Sequence, residues 1–113
     1  METIDAATFN ELRETAGAAF VADLVNTFFE EAPRMLADLR RARDAADADR
    51  FRRAAHSLKS NSATFGALEL ASLARELELN GLAADPARDV AAISVLDAAY
   101  ARAAAALKEL CHG

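Results

Sequence analysis

Apolar residues recur at spacings of three and four along almost the whole chain, and no run alternates long enough to form a strand. The clearest stripe is Val21, Val25, Phe28, Ala32, Met35, Leu39 and Ala42, whose steps of four, three, four, three, four and three make a bundle seam. It predicts a long helix over 18–45, kinked at Pro33, where the ring removes one backbone hydrogen bond. Before it, Phe9 and Leu12 mark a short helix over 5–15, with Asp5 or Thr3 as its cap and Gly17 closing it. After it, Phe51, Ala55, Leu58, Ser62 and Phe65 form the inner stripe of a helix over 49–65, starting near Ala48 or Asp49 and ended by Gly66. Leu70, Leu73, Ala74 and Leu77 give a fourth over 67–80, stopped at Asn80-Gly81. Asp85-Pro86 reads as cap plus first helical residue of a fifth, over 86–111, with Val90 or Ile93, Leu96, Tyr100, Ala103, Leu107 and Leu110 on one face. Short links make neighbouring helices antiparallel. The expected fold is all-α: an up-and-down antiparallel four-helix bundle with an additional short N-terminal helix, one domain over 1–113.

Composition agrees. Apolar residues reach 53% while aromatics are only 6%, and alanine supplies the difference, which favours helices over sheet. At 113 residues the chain can bury a core without disulfides. The single Cys111 forms no internal bridge, so a reducing, cytoplasmic setting is expected. The start, Met-Glu-Thr-Ile-Asp, lacks the basic lead and apolar run of a signal peptide, and no stretch is expected to span a membrane.

Charge narrows the partners. A net charge of −5 argues against nucleic acid, whose phosphates need a basic face. The distribution is uneven, because Arg40, Arg41, Arg43, Arg50, Arg52, Arg53 and Lys59 outweigh Asp44, Asp47 and Asp49 by +4, leaving −9 elsewhere. Such a stretch is either a solvated helix junction or a docking patch for an acidic partner.

One histidine falls off the core stripe. With the third helix facing inward at Phe51, Ala55, Leu58 and Phe65, a turn of roughly 100° per residue sets His56 about 140° away, toward solvent. Arg52 and Lys59 lie a turn to either side, Ser60 at i+4 and Ala63 at i+7. A neutral imidazole is a competent nucleophile near pH 7, and attack on a phosphoryl donor yields a phosphoramidate of high transfer potential. Lys59 can balance phosphoryl oxygens, and the small Ser60 and Ala63 leave room for in-line approach. A lone surface histidine is ordinary, as is a lysine three residues later; their combination and the surrounding string raise the case.

That string, Ala55-His56-Ser57-Leu58-Lys59-Ser60-Asn61-Ser62-Ala63-Thr64-Phe65-Gly66-Ala67, with Leu70-Ala71 and Leu77-Glu78 after it, closely resembles the histidine phosphotransfer (HPt) domains of two-component relays. Phe28-Phe29-Glu30-Glu31-Ala32-Pro33 is similar to the family's proline-containing second helix, so the resemblance covers about residues 18–80. It implies that His56 is the phosphoacceptor and that Lys59 assists it. Where the family most often has glycine after the lysine, this chain has Ser60, still small but able to hydrogen-bond. Gly66 matches the family's glycine, read here as helix termination.

The implied partners are receiver domains and a hybrid histidine kinase. Arg52, Arg53, Ser60 and Ala63 are the candidate docking residues, no cofactor is expected on this chain, and Mg2+ is expected in the receiver. No Gly-rich phosphate loop is present, since Gly17, Gly66 and Gly81 stand singly, so the chain is expected to be a carrier without kinase activity of its own. Two histidines and one cysteine are poor material for a metal centre, the Cys111-His112 pair included. A helical adaptor with His56 as decoration, or a dimer using Phe20, Phe29 or Leu79, would show the same amphipathic pattern; a monomer is expected.

Overall fold

The computed structural model describes residues 3–112, and within them lie five helices: α1 (Ala6–Ala16), α2 (Ala18–Asp44), α3 (Ala48–Thr64), α4 (Leu68–Asn80) and α5 (Pro86–His112). Met1 and Glu2, on which the signal-peptide reading partly rests, fall outside the described residues. Side chains fix several helix starts. Asp5 accepts from Thr8 N at 3.2 Å at α1, Asp47 from Arg50 N at 3.1 Å at α3, and Asp85 from Ala87 N at 3.0 Å beside Pro86, each satisfying a backbone donor of a first turn.

Helices α2, α3, α4 and α5 pack in a ring, each against the next and α5 back against α2. The α2–α5 seam therefore lies opposite the α3–α4 seam. Phe51, Leu58, Leu39, Leu70, Leu96 and Leu107 fill the interior, all fully buried. α1 rests on α2 and α3, with Phe9 and Ile4 in the core. Gly66 does more than end α3: at φ +81° its carbonyl accepts from Asp5 N at 2.8 Å, and a Cβ there would stand 2.8 Å from Asp5 O. A side chain at that position would push the N-terminal segment off the bundle.

One expectation changes and one open alternative is resolved. The α2 seam runs Val21, Val25, Phe28, Ala32, Leu36, Leu39 and Ala42, so Leu36 takes the place expected of Met35, which is half-buried at the edge. After Ala32 the steps of three and four are interchangeable in a helix of 3.6 residues per turn, and the γ-branched leucine takes the inner place. On α5, Ile93 is buried and Val90 is 59% exposed.

The expectation that no stretch could span a membrane is also corrected. By length and composition the segment Pro86–Cys111 passes that test, since it contains an 18-residue stretch with a mean hydropathy of 1.5. Alanine is the reason, since only Asp97 and Arg102 carry charge between Val90 and Leu107. In the fold these two pair with Arg40 of α2 and Glu69 of α4, while Ile93, Leu96, Ala99, Ala103 and Leu107 form the helix's contribution to the core.

Candidate functional site

The middle of α3 is set by its inner face. Phe51, Ala54, Ala55, Leu58 and Ser62 are buried, which turns His56 out with its side chain 59% exposed. Ser60 and Ala63 follow it on the exposed surface. Thr64 Oγ1 donates to Ser60 O and Asn61 Nδ2 to Ser57 O, so both polar side chains stay on their own helix.

The imidazole has a partner on the neighbouring helix. Its Nδ1 lies 2.5 Å from Glu78 Oε2 on α4, and Lys59 Nζ donates to the other oxygen, Oε1, at 2.6 Å. One carboxylate thus holds the histidine and the lysine side by side. A carboxylate accepts only, so Nδ1 carries the hydrogen, and in the neutral ring the lone pair sits on Nε2. Among the described residues Nε2 has no partner. The Glu78 carboxyl is held below the usual carboxylate range, chiefly by the hydrogen bond from Lys59 and also by that from His56. What its ionisation contributes is therefore complete above the ordinary carboxylate range and lost only as the pH falls through the lowered value.

The two candidate docking arginines flank His56 on opposite sides. Arg52 lies toward α4, where a Cβ on Gly81 would meet its guanidinium at 3.4 Å. Arg53 lies toward α2, lining an open groove of about 550 Å3 with Glu31, Arg34, Met35, Asp38, Arg50, Ala54 and Ser57. Arg53 also pairs with Asp49 at 3.0 Å, both strongly exposed, whereas Arg52 has no ion pair among the described residues. The basic stretch is thus less of a patch than its sequence suggests, since Arg40, Arg41, Arg43 and Arg50 each have an aspartate partner. Glu78 is the residue that sequence reasoning passed over. Its signal was its place beside the inner Leu77, which sets it at the edge of α4, but the pairing with α3 across 22 residues has no helical spacing to betray it.

The sequence matches the family profile described as Hpt domain across residues 23–109. The chain belongs to the Hpt domain family. Its fold is similar to the crystal structure of histidine-containing phosphotransfer protein B from Pseudomonas aeruginosa PAO1, with a TM-score of 0.83 and 26% identity over 97% of this chain and 95% of that one. A comparison with curated proteins finds no match. Hpt domains work in phosphorelays with receiver domains, and phosphotransfer is the function of this chain. The adaptor alternative has no use for an imidazole clamped at one nitrogen and open at the other. Of the Cys111-His112 pair, Cys111 is exposed, and the side chain of His112 lies outside what the structure describes.

Proposed function

We propose that His56 is the phosphoacceptor of this Hpt domain, taking the group from a receiver-domain aspartate onto Nε2 and relaying it to a second receiver. The observation that carries this reading is the exposed ring with Nδ1 engaged by Glu78, which leaves Nε2 as the one nucleophilic nitrogen. Lys59, kept beside the ring by the same carboxylate, turns to the phosphoryl oxygens when they arrive. Ser60 and Ala63 form the low surface over which the receiver approaches, with Arg52 and Arg53 to either side facing its acidic pocket. The Mg2+ of the reaction belongs to the receiver, and this chain brings no cofactor. A hybrid histidine kinase supplies the phosphoryl group, and the domain acts as a monomer in the cytoplasm, where a lone thiol such as Cys111 stays reduced.

The test is transfer from a phosphorylated receiver with Mg2+, across a panel of receivers. Acid-labile label mapping to residue 56 is the expected result, and His56→Gln abolishes it while the helical circular dichroism is retained. Equal labelling of parent and His56→Gln would overturn the assignment.

A further inference from the structure

A carboxylate bonded to Nδ1 acts on the second half of the relay as much as on the first. When Nε2 attacks an aspartyl phosphate, its lone pair forms the P–N bond, the P–O bond breaks, and the electron pair leaves with the aspartate carboxylate. No proton is lost from the ring, so the phosphorylated ring is an imidazolium that keeps its Nδ1 hydrogen. In the return step the P–N bond breaks and its pair goes back to Nε2. With the hydrogen still on Nδ1 the leaving group is neutral imidazole; without it the leaving group is an imidazolate, a far poorer one.

Resting on His56 as the phosphoacceptor, the geometry points to Glu78 as the positioning residue that keeps the Nδ1 proton on the phosphorylated ring, and so sets how fast the group is handed on. Glu78 Oε2 stands 2.5 Å from Nδ1 and is the only carboxylate oxygen in contact with the ring among the described residues. The other charged groups around it are cations or lie further off. Arg52 and Lys59 are a turn away on α3, Arg75 is a turn before Glu78 on α4, and Glu31, Arg34 and Asp38 of α2 line the groove bordered by Ser57. Against those cations, the Glu78 charge is what opposes loss of a proton from an imidazolium. Lys59 shares that carboxylate in the resting state, and its move to the phosphoryl group would leave Glu78 to the ring alone.

The experiment separates the two steps. The parent, Glu78→Gln and Lys59→Met proteins are phosphorylated by phosphoramidate, a small-molecule donor that needs no docking, and label on residue 56 is verified by mass. Each is then mixed with an unphosphorylated receiver and Mg2+, and the hand-over rate is followed between about pH 6 and pH 8.5, the span in which histidine protons are exchanged. The parent rate stays level. Glu78→Gln keeps a hydrogen-bond acceptor but not the charge, and its rate falls with rising pH, approaching about tenfold per unit as expected for one lost proton. Lys59→Met lowers the rate by a similar factor at every pH, because Glu78 is still present. Failure of the parent to label at residue 56 would defeat the phosphoacceptor reading itself. Normal labelling followed by a Glu78→Gln profile parallel to the parent's, or by the same tilt in Lys59→Met, would overturn the role of Glu78 alone.

Discussion

The two opposite seams of the bundle hold charges of the same kinds and arrange them differently. On the α2–α5 seam each arginine has its own anion: Arg40 pairs with Asp97, and Arg43 with Asp89. On the α3–α4 seam one carboxylate, Glu78, serves two nitrogen bases, His56 and Lys59, while Arg52 nearby has no ion pair among the described residues. The first seam is closed, with its charges matched and its helices tied. The second is short of negative charge, a state that costs little at an exposed surface and that an incoming phosphoryl group or acidic partner relieves. What separates scaffold from site is therefore the pairing of the cations, and their number along the chain tells little.

The sharpest way to break this contrast is at Asp89. It is 3% exposed, accepts from Ala83 N with both oxygens at 3.2 and 3.1 Å, and lies 3.5 Å from Arg43 Nε, an ion pair without hydrogen-bond geometry. It thereby ties the α4–α5 link to α5 and both to α2. Asp89→Ala leaves a backbone donor without an acceptor and a largely buried guanidinium without its counter-charge, at an expected loss of about 3 kcal/mol in urea unfolding. Adding Arg43→Met recovers part of that loss. Labelling of His56 at a temperature where the variant is folded stays at the parent level. A loss under about 1 kcal/mol, or a transfer defect in the folded variant, would mean that the two seams are not separable as scaffold and site.

The contrast was only half legible in the sequence, for a physical reason. Periodicity reports which face of a helix is apolar, and so it placed His56 outside and Leu39, Leu58, Leu96 and Leu107 inside, where they are found. It placed Met35 on the seam where Leu36 is the inner residue, because both lie within half a turn of it, and it left Val90 and Ile93 as alternatives. Pairings between helices are a matter of register in three dimensions. Nothing in the local spacing joins Arg40 to Asp97 across 57 residues, or His56 to Glu78 across 22. The basic stretch from Arg40 to Lys59 accordingly read as one unit, either a solvated junction or a docking patch, although the fold divides it among the α2–α5 seam, the α2–α3 hairpin and the surface around His56. Gly66 shows the same limit, since its role in ending α3 follows from its type, but its contact with Asp5 does not.

A smaller effect tests the open seam. If unmatched charge beside His56 steers an acidic receiver, Arg52→Glu slows association by about three- to tenfold at low ionic strength and flattens its dependence on salt. Arg40→Glu, on the opposite seam, changes the on-rate by less than about twofold under the same conditions. Stopped-flow association with a receiver measures both. Equal slowing by the two reversals would show that net charge alone matters and that the local arrangement around the imidazole does not.

The smallest effect is expected at the pair that looks most like a staple. Arg40 and Asp97 meet through two hydrogen bonds, yet their side chains are 47% and 42% exposed, and Asp97 raises the Arg40 pKa chiefly by accepting its hydrogen bond. Water screens such a pair, and ordering a long arginine opposes it, so a double-mutant cycle of Arg40→Ala and Asp97→Ala should give a coupling of about 0.5 kcal/mol or less, declining with salt. The same seam would then contain one strong tie and one weak one, distinguished by burial at Asp89 and exposure at Asp97, with the charges themselves alike. A coupling above about 1.5 kcal/mol would contradict that ranking, because the exposed pair would then rival the buried one and matched charge, wherever it lies, would be what holds α5 to α2.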